Sequence, residues 1–537
     1  MGDTSTTRRW LGLFAIALGV ALIVVDTTIV NVIIPSIIEG LDITSVQGQW
    51  IQESYAIVFA ALLLLVGRIA DIIGARRVFV AGVVAFGVTS VLAGLASSGD
   101  VLIVARFLQG AAAAMIMPTS LALLNDNFTG KARGQAFAVW GSTIGAAAAL
   151  GPVLGGWLAE HTSWRWAFGI NVPLAVLIVV GVVLCLAPSR RRPGRIDLIG
   201  SVLSVLGMGL LAFGLIEGRT YGWIKTIQPL EIGGFSWDGA VSPVLVALVV
   251  SVLVLGAFIW RQARLRRGRS SDKALMDLSL FSVSSFRNGN VATLIIGLGE
   301  FGIVAVLPLW LQFTLGYSAL QAGSALVPVA VGSFIASGAS FGMAGKTSAL
   351  NLVRLGLMLE AAGLALLALF ASTGSSWWSI ALILCLFGAG VGFATAQVTN
   401  VVLADIPERS SGQASGIQST FRQLGSALGI AVLTTAFFTT LSSQAEDGLK
   451  DKGVPAAQAG QYSKAITDSA GAAIQGLDQK PQTRPAAQAG RSAMTDGITL
   501  SGYLAAGFLL VALISTALIP KPESAETDAP DREPAHA

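Results

Sequence analysis

An all-α membrane protein with fourteen spans is the fold class this sequence predicts, on three observations. Of its 537 residues, 54% are hydrophobic and only 12% charged, about half the charge of an ordinary soluble chain. Apolar runs long enough to cross about 30 Å of hydrocarbon, about 20 residues each, recur fourteen times, and mean hydropathy is +0.73. Lys and Arg gather in alternate connections, as topology signals do. The 62 glycines suit helices that approach closely in lipid.

The spans follow in order. The first, 11–35, begins after Arg8 and Arg9 and is too long for a signal peptide, with no small-residue cleavage site closing it. Spans two and three, 48–70 and 78–97, flank a Gly- and Arg-rich turn. Spans four (100–123), five (133–158) and six (166–187) follow short polar connections, the sixth stopping before a run of arginines. Spans seven (196–216) and eight (241–260) are separated by a polar loop, 217–240, and followed by a basic linker, "RQARLRRGRSSDK". The remaining six are 290–314, 320–342, 350–371, 378–403, 413–439 and 498–520. Residues 441–497, rich in Ala, Gln, Gly and Asp, read as a long exposed loop that holds at most one amphipathic helix. The grouping predicts an N-terminal six-helix half (1–190), two inserted helices with a linker (191–289), a C-terminal six-helix half (290–520) and a tail (521–537). Internal repeats of this kind build a site at the bilayer midplane between halves.

With the N-terminus inside, inside connections collect Arg68, Arg76, Arg77, Lys131, Arg133, Arg190, Arg191, Arg192, Lys346, Arg354, Arg409, Lys521 and Arg532. The short outside loops hold only Arg165, Arg219 and Lys225. Both termini are therefore expected in the cytoplasm, with 441–497 outside.

Other classes find little footing. Cys185 and Cys385 stand 200 residues apart in apolar runs, and His161 and His536 are the two histidines, so neither a disulfide framework nor a metal cluster is expected. The net charge of +4 is modest and no basic segment carries interleaved aromatics, which points away from nucleic acid. No nucleophile elbow or phosphate loop appears, so neither an enzyme nor an ATP-driven pump is expected, and no cofactor.

Four buried acids stand out. Asp26, in "LIVVDTTIVNVIIP", lies about nine residues before Pro35, or roughly 13 Å, near the middle of a span. Glu53, Glu300 and Glu360 lie in spans two, nine and eleven. An ionisable group in oil is costly and marks function by default. A carboxylate that alternates between a proton and a cation gives exchange, because the two states differ in affinity. Thr27, Thr28 and Asn31 lie close to Asp26 in sequence, and Arg422 in span thirteen is a candidate partner for one of the acids. Trp50, Tyr55, Phe301 and Trp310 are candidates for an apolar substrate wall.

Three motifs carry mechanism. In "GRIADIIGARR" (67–77), Gly67 and Gly74 permit a tight turn, and Asp71 with Arg76 and Arg77 can form a charged latch. "RFLQG" (106–110) puts Arg106, Gln109 and Gly110 in span four, where an arginine either snorkels to the nearby helix end or works inside. "GSTIGAAAALGPVLGGW" (141–157) sets Gly145, Gly151, Gly155 and Gly156 around Pro152, a smooth kinked surface on which a neighbour can slide.

These stretches resemble signatures of the major facilitator superfamily. The first resembles its cytoplasmic loop motif and the second its fourth-helix motif, whose arginine is implicated in proton transfer. The third resembles the antiporter motif, with Ala147 where a glycine is often found. "VDTTIVNVIIP", "SWRWAFGINVP", "LPLWLQFTLGYSALQAG" and "GQASGIQSTFRQLGSALG" narrow the likeness to its fourteen-span drug:proton antiporters. The resemblance implies a major facilitator fold and a monomeric, proton-coupled multidrug exporter in the cell membrane. Hydrophobic, cationic compounds and protons would be its substrates. It adds weight to proton coupling or cation recognition at Asp26 and Arg106; Glu53 and Glu300 stand outside its signature positions and, with Glu360, are candidates for the same role from their place within spans alone. The alternatives are export of a lipid or a self-made natural product on the same fold, and, with less support, a membrane sensor or enzyme.

Overall fold

The computed structural model describes residues 6–189, 194–232, 235–267, 274–343, 346–407 and 410–519. Arg190 to Arg192, Arg409, Lys521, Arg532, the tail 521–537 and part of the basic linker lie outside them. Each of the fourteen expected windows is a helix long and apolar enough to span a membrane.

The first half contains α1 (Thr6–Leu41), α2 (Ser45–Ile73), α3 (Ala75–Gly94), α4 (Gly99–Asn127) and α5 (Gly130–His161). Its sixth span is broken into α6 (Trp166–Gly169) and α7 (Asn171–Cys185). The inserted pair is α8 (Leu198–Tyr221) and α9 (Pro243–Arg267), joined through a two-stranded hairpin, β1 (Leu230–Ile232) and β2 (Phe235–Trp237), in which Leu230 pairs with Trp237. The second half contains α10 (Ser284–Phe313), α11 (Ala319–Ser324), α12 (Val327–Met343), α13 (Ala349–Phe370), α14 (Trp377–Val402) and α15 (Ser411–Lys450). After it come α16 (Ala456–Asp468), α17 (Ala473–Asp478) and the last span, α18 (Arg484–Ser515). Large apolar side chains such as Leu92, Phe107, Leu198, Leu253, Leu382 and Ile514 stay exposed, which suits a lipid-facing belt.

Helix pairing repeats between the halves. In the first, α1 packs on α5, α2 on α4 and α3 on α4; in the second, α10 packs on α15, α12 on α14 and α13 on α14. By span order these are the same three pairs. The halves meet along two seams, α5 with α12 and α2 with α15, which are each other's repeat mates. The inserted α8 packs on α2 and α15 and so flanks only the second seam.

Two connections differ from expectation. The 217–240 loop is shorter, because α8 runs on to Tyr221 and the hairpin packs Leu230 and Trp237 with Tyr221 and Val244. The 441–497 segment is not a loop but a folded helical cap. Leu441, Ala445 and Leu449 are all buried at four-residue spacing, and Leu449 packs with Ala459, Ala486 and Ala489. An apolar stripe four residues apart extends a helix even where average hydropathy is low.

Candidate functional site

The first half holds a closed polar cluster. Arg106 Nη1 on α4 donates to Asp26 Oδ2 on α1 at 2.6 Å and to Gln109 Oε1 at 2.8 Å, and Arg106 Nε donates to the Ile51 carbonyl at 3.1 Å. Asp26 Oδ1 accepts from Gln109 Nε2 at 3.0 Å and from Asn171 Nδ2 of α7 at 2.8 Å. Ser90 of α3 accepts from both amides. Asp26 and Arg106 are each 1% exposed, so Arg106 does not snorkel to its helix end. A Cβ at Gly110 would meet the Tyr55 carbonyl oxygen at 2.5 Å, so glycine there lets α4 close on α2. Thr27 and Thr28 do not serve Asp26: their hydroxyls donate back to the Ile23 and Val24 carbonyls, and Asn31 is exposed. The partners come from α4 and α7 instead. Of these, Gln109 stands in the fourth-span motif and Asn171 in "SWRWAFGINVP", where no role is read for it from sequence.

The second half holds acids in a different setting. Glu300 Oε1 on α10 accepts from Thr395 Oγ1 on α14 at 2.8 Å. Glu360 on α13 is fully buried, both of its carboxyl oxygens lack a hydrogen-bond partner among the described residues, and Gly390 of α14 packs directly on its side chain. Arg422 on α15 lies near enough to feel both acids, yet among the described residues no ion pair within 4.0 Å joins it to either. Its guanidinium carbon lies 5.8 Å from the Phe301 ring centre and 5.9 Å from that of Trp140 on α5, so it reaches a side chain of the other half. Trp140 in turn donates to Ser120 at 3.1 Å.

Of the four wall candidates, Phe301 lies beside Arg422 where the halves approach. Trp310 does not: it is fully buried, with its indole N–H donating to Thr495 of α18 at 3.1 Å, so it packs inside its own half. Tyr55 is buried beneath the Arg106 guanidinium, 4.2 Å from its ring centre. Trp50 stacks on Phe213 of the inserted α8 at 6.3 Å. Glu53 also faces α8, where it meets Glu217, a residue the span window ending at 216 left in a loop.

At the end of the bundle that carries the loop at Gly74, polar contacts cross between halves. Asp71 Oδ1 and Oδ2 on α2 accept the backbone N–H groups of Gly412 (2.8 Å) and Gln413 (2.9 Å), in the first turn of α15. Ser410 gives that helix no side-chain cap, so Asp71 supplies one from the other half and offsets the positive end of the helix dipole. Arg133 on α5 donates to the carbonyls of Asn400 and Ala404 at the C-terminal end of α14, the complementary arrangement. A Cβ at Gly67 would lie 2.7 Å from the Gly412 carbonyl oxygen. Gly74 has φ of 102°, a conformation that disfavours other residues. Arg76 and Arg77 donate to the carbonyls of Val183 (2.7 Å) and Ile73 (3.2 Å). The helix end that meets Asp71 therefore belongs to the opposite half.

The small-residue stripe of α5 serves two neighbours. Gly151 and Gly155 press on α1, at Val25, Thr28 and Ile29, while Gly145, Pro152 and Gly156 face Ser333, Gly323 and Leu320 of the second half. One helix thus packs closely on its own half and on the other.

Comparison with known proteins agrees with this architecture. A family model described as Major Facilitator Superfamily matches residues 16–430. The chain is 34% identical over 440 residues to the puromycin resistance protein pur8 of Streptomyces alboniger, covering 80% of this chain and 82% of that one. It is 31% identical over 513 residues to the multidrug efflux pump LfrA of Mycolicibacterium smegmatis, covering 94% and 95%. It is 31% identical over 432 residues to the tetracenomycin C resistance and export protein of Streptomyces glaucescens, covering 79% and 75%. Two solved structures share the fold. The proton:xylose symporter XylE has a TM-score of 0.61 at 13% identity, covering 97% of each chain. The human organic anion transporter MFSD10 has 0.60 at 14%, covering 95% of this chain and 99% of that one. On the family match and the relatives, this multi-pass membrane chain belongs to the major facilitator superfamily.

Proposed function

We propose that the chain is a proton-coupled exporter of hydrophobic, cationic compounds that works by alternating access between its two six-helix halves. One observation carries the coupling: Glu360 is fully buried with no hydrogen-bond partner, close to Glu300 and Arg422. A lone ionised carboxylate sunk in the bundle costs several kcal/mol, so Glu360 needs a proton or a cation. Glu300 and Arg422 lie close to it, and Arg422 approaches Trp140 of the other half. The proton enters from outside as cargo leaves, and its loss inside restores a negative site. The multidrug and antibiotic relatives support the cargo class. In this reading both termini are cytoplasmic, the Asp71 latch closes the cytoplasmic end, and the monomer is the working unit. The boundaries 1–190, 191–289 and 290–520 mark its halves and insert.

A growth-inhibition panel tests it. An efflux-deficient bacterial host expressing the gene should resist several lipophilic cations, and that resistance should collapse when the proton gradient is dissipated. Unchanged sensitivity to every compound would contradict the reading. The tetracenomycin-exporting relative favours a second reading, in which the cargo is a self-made natural product. In that case deletion in the native host leaves the panel unchanged and a metabolite accumulates inside.

A further inference from the structure

The inserted helices bring an acid of their own. Glu217 on α8 is 1% exposed, and among the described residues neither of its carboxyl oxygens has a partner at full hydrogen-bond geometry, although the Thr220 side chain lies beside it. Glu53 Oε2 on α2 is buried and equally unpartnered. The two carboxyl groups lie within hydrogen-bonding reach of each other. Packing supports this meeting: Trp50 stacks on Phe213, and Gly209 of α8 faces Ala61, so the antiparallel helices bring 53 and 217 to one level. Tyr221, Val244, Leu230, Trp223 and Trp237 form an apolar cluster with Trp50 around them.

The surrounding charges do not relieve the pair. On α8, Arg219 is directed at α15, with its guanidinium carbon 3.4 Å from the Phe438 ring centre and Asp468 as its electrostatic partner; Thr220 and Tyr221 adjoin Glu217. On the opposite face of α2, Asp26 and Arg106 neutralise each other. On α9, Val244 packs at this level, while Arg261 pairs with Asp197 at the other end of α8. Two carboxylates in contact cannot both ionise in such a setting; one keeps a proton and donates it to the other.

We propose that Glu217 and Glu53 share a proton and form a second proton site, at the seam where the inserted pair meets the first half. The location ties it to the transport cycle. Helices α2 and α15 touch directly at Gly67 and Gly416, and α8 flanks both, touching α2 at Glu53 and α15 at Phe438. Rocking that separates α2 from α15 must break the contacts of α8 with one of them, which puts the acid pair beside a moving seam. The link to transport rests on the export reading; the shared proton does not.

The test uses the full-length protein in lipid nanodiscs and in liposomes. Infrared titration should show a protonated-carboxyl band at neutral pH that is lost in the double variant E53Q/E217Q and shifted in each single Gln variant. A double-variant spectrum identical to wild type would overturn the shared proton. In liposomes, with tetraphenylphosphonium as probe, E217Q should shift the pH–rate profile while E217D, which keeps the acid, stays near wild type. A shifted infrared band with an unchanged pH–rate profile would overturn the role in coupling. Failure of wild type to move the probe would count against the export reading alone, because the infrared result still decides the pair. Gel-filtration monodispersity of each variant separates misfolding from these outcomes.

Discussion

Asp26 and Arg106 form a buried ion pair at 2.6 Å, and Gln109 and Asn171 complete the carboxylate's hydrogen bonds. Asp26 is thus the counter-ion of the fourth-span arginine, and its contacts join α1 to α4 and α7. Removing one partner of such a pair leaves an uncompensated buried charge, at a cost of about 3–5 kcal/mol. Asp26→Asn should therefore reduce both thermal stability and transport. The double variant Asp26→Asn/Arg106→Gln should recover stability relative to either single variant while transport stays low. A stability cycle in detergent checks this; additive losses would contradict the pairing.

Asp71 accepts two charge-assisted bonds from the first turn of α15, the contacts that the proposed latch would make and break. Asn at 71 removes the charge and turns an amide N–H₂ toward a backbone N–H. A charged hydrogen bond is worth about 1.5–3 kcal/mol, so the balance of latched and unlatched forms should shift by about tenfold or more. Asp71→Asn should slow turnover while leaving the cargo site intact. Gly67→Val, whose Cβ meets the Gly412 carbonyl, should do the same by sterics. Transport rate and equilibrium cargo binding measured side by side check it. A variant that binds poorly but turns over at the wild-type rate would contradict the latch.

The inserted pair is fastened at its other end by Asp197, just before α8, which accepts two-pronged bonds from Arg261 at 2.6 to 3.0 Å. Burial works against the Asp197 charge, but Arg261, the Gly200 N–H and Gln262 outweigh it and hold the carboxyl below its ordinary range. With the folded value depressed, the stabilisation is fully present above the unfolded value near 3.9 and fades as pH falls through the folded value. Arg261 is 31% exposed, so the contribution is about 1 kcal/mol. Hydrogen exchange across 194–275 should loosen below about pH 4, and Asp197→Asn should be loosened at every pH with no acid step. An acid step retained in the variant would contradict it.

Span count, order and the motif positions were legible because hydropathy over about 20 residues is a local property. Partnerships were not. Nothing near Asp26 in sequence reveals Asn171 or Ser90, since both come from other helices. Asp71 lay beside two arginines in the chain, yet the groups it caps are more than 340 positions away. Glu217 fell one residue past a window edge, although α8 continues to Tyr221 because the hairpin buries its last turn. The cap at 456–478 was hidden by its low mean hydropathy; the buried stripe Leu441, Ala445 and Leu449 on the helix before it is what it packs toward, through Ala459 on Leu449.

The account turns on Glu360 trading a proton for cargo. The direct measurement is proton movement driven by tetraphenylphosphonium in liposomes containing purified wild-type or Glu360→Gln protein. Wild type should move protons against the cation across a pH gradient. The Gln variant, folded and still able to bind the cation, should lose the coupled proton flux. Coupled flux at the wild-type rate in Glu360→Gln would contradict the central claim.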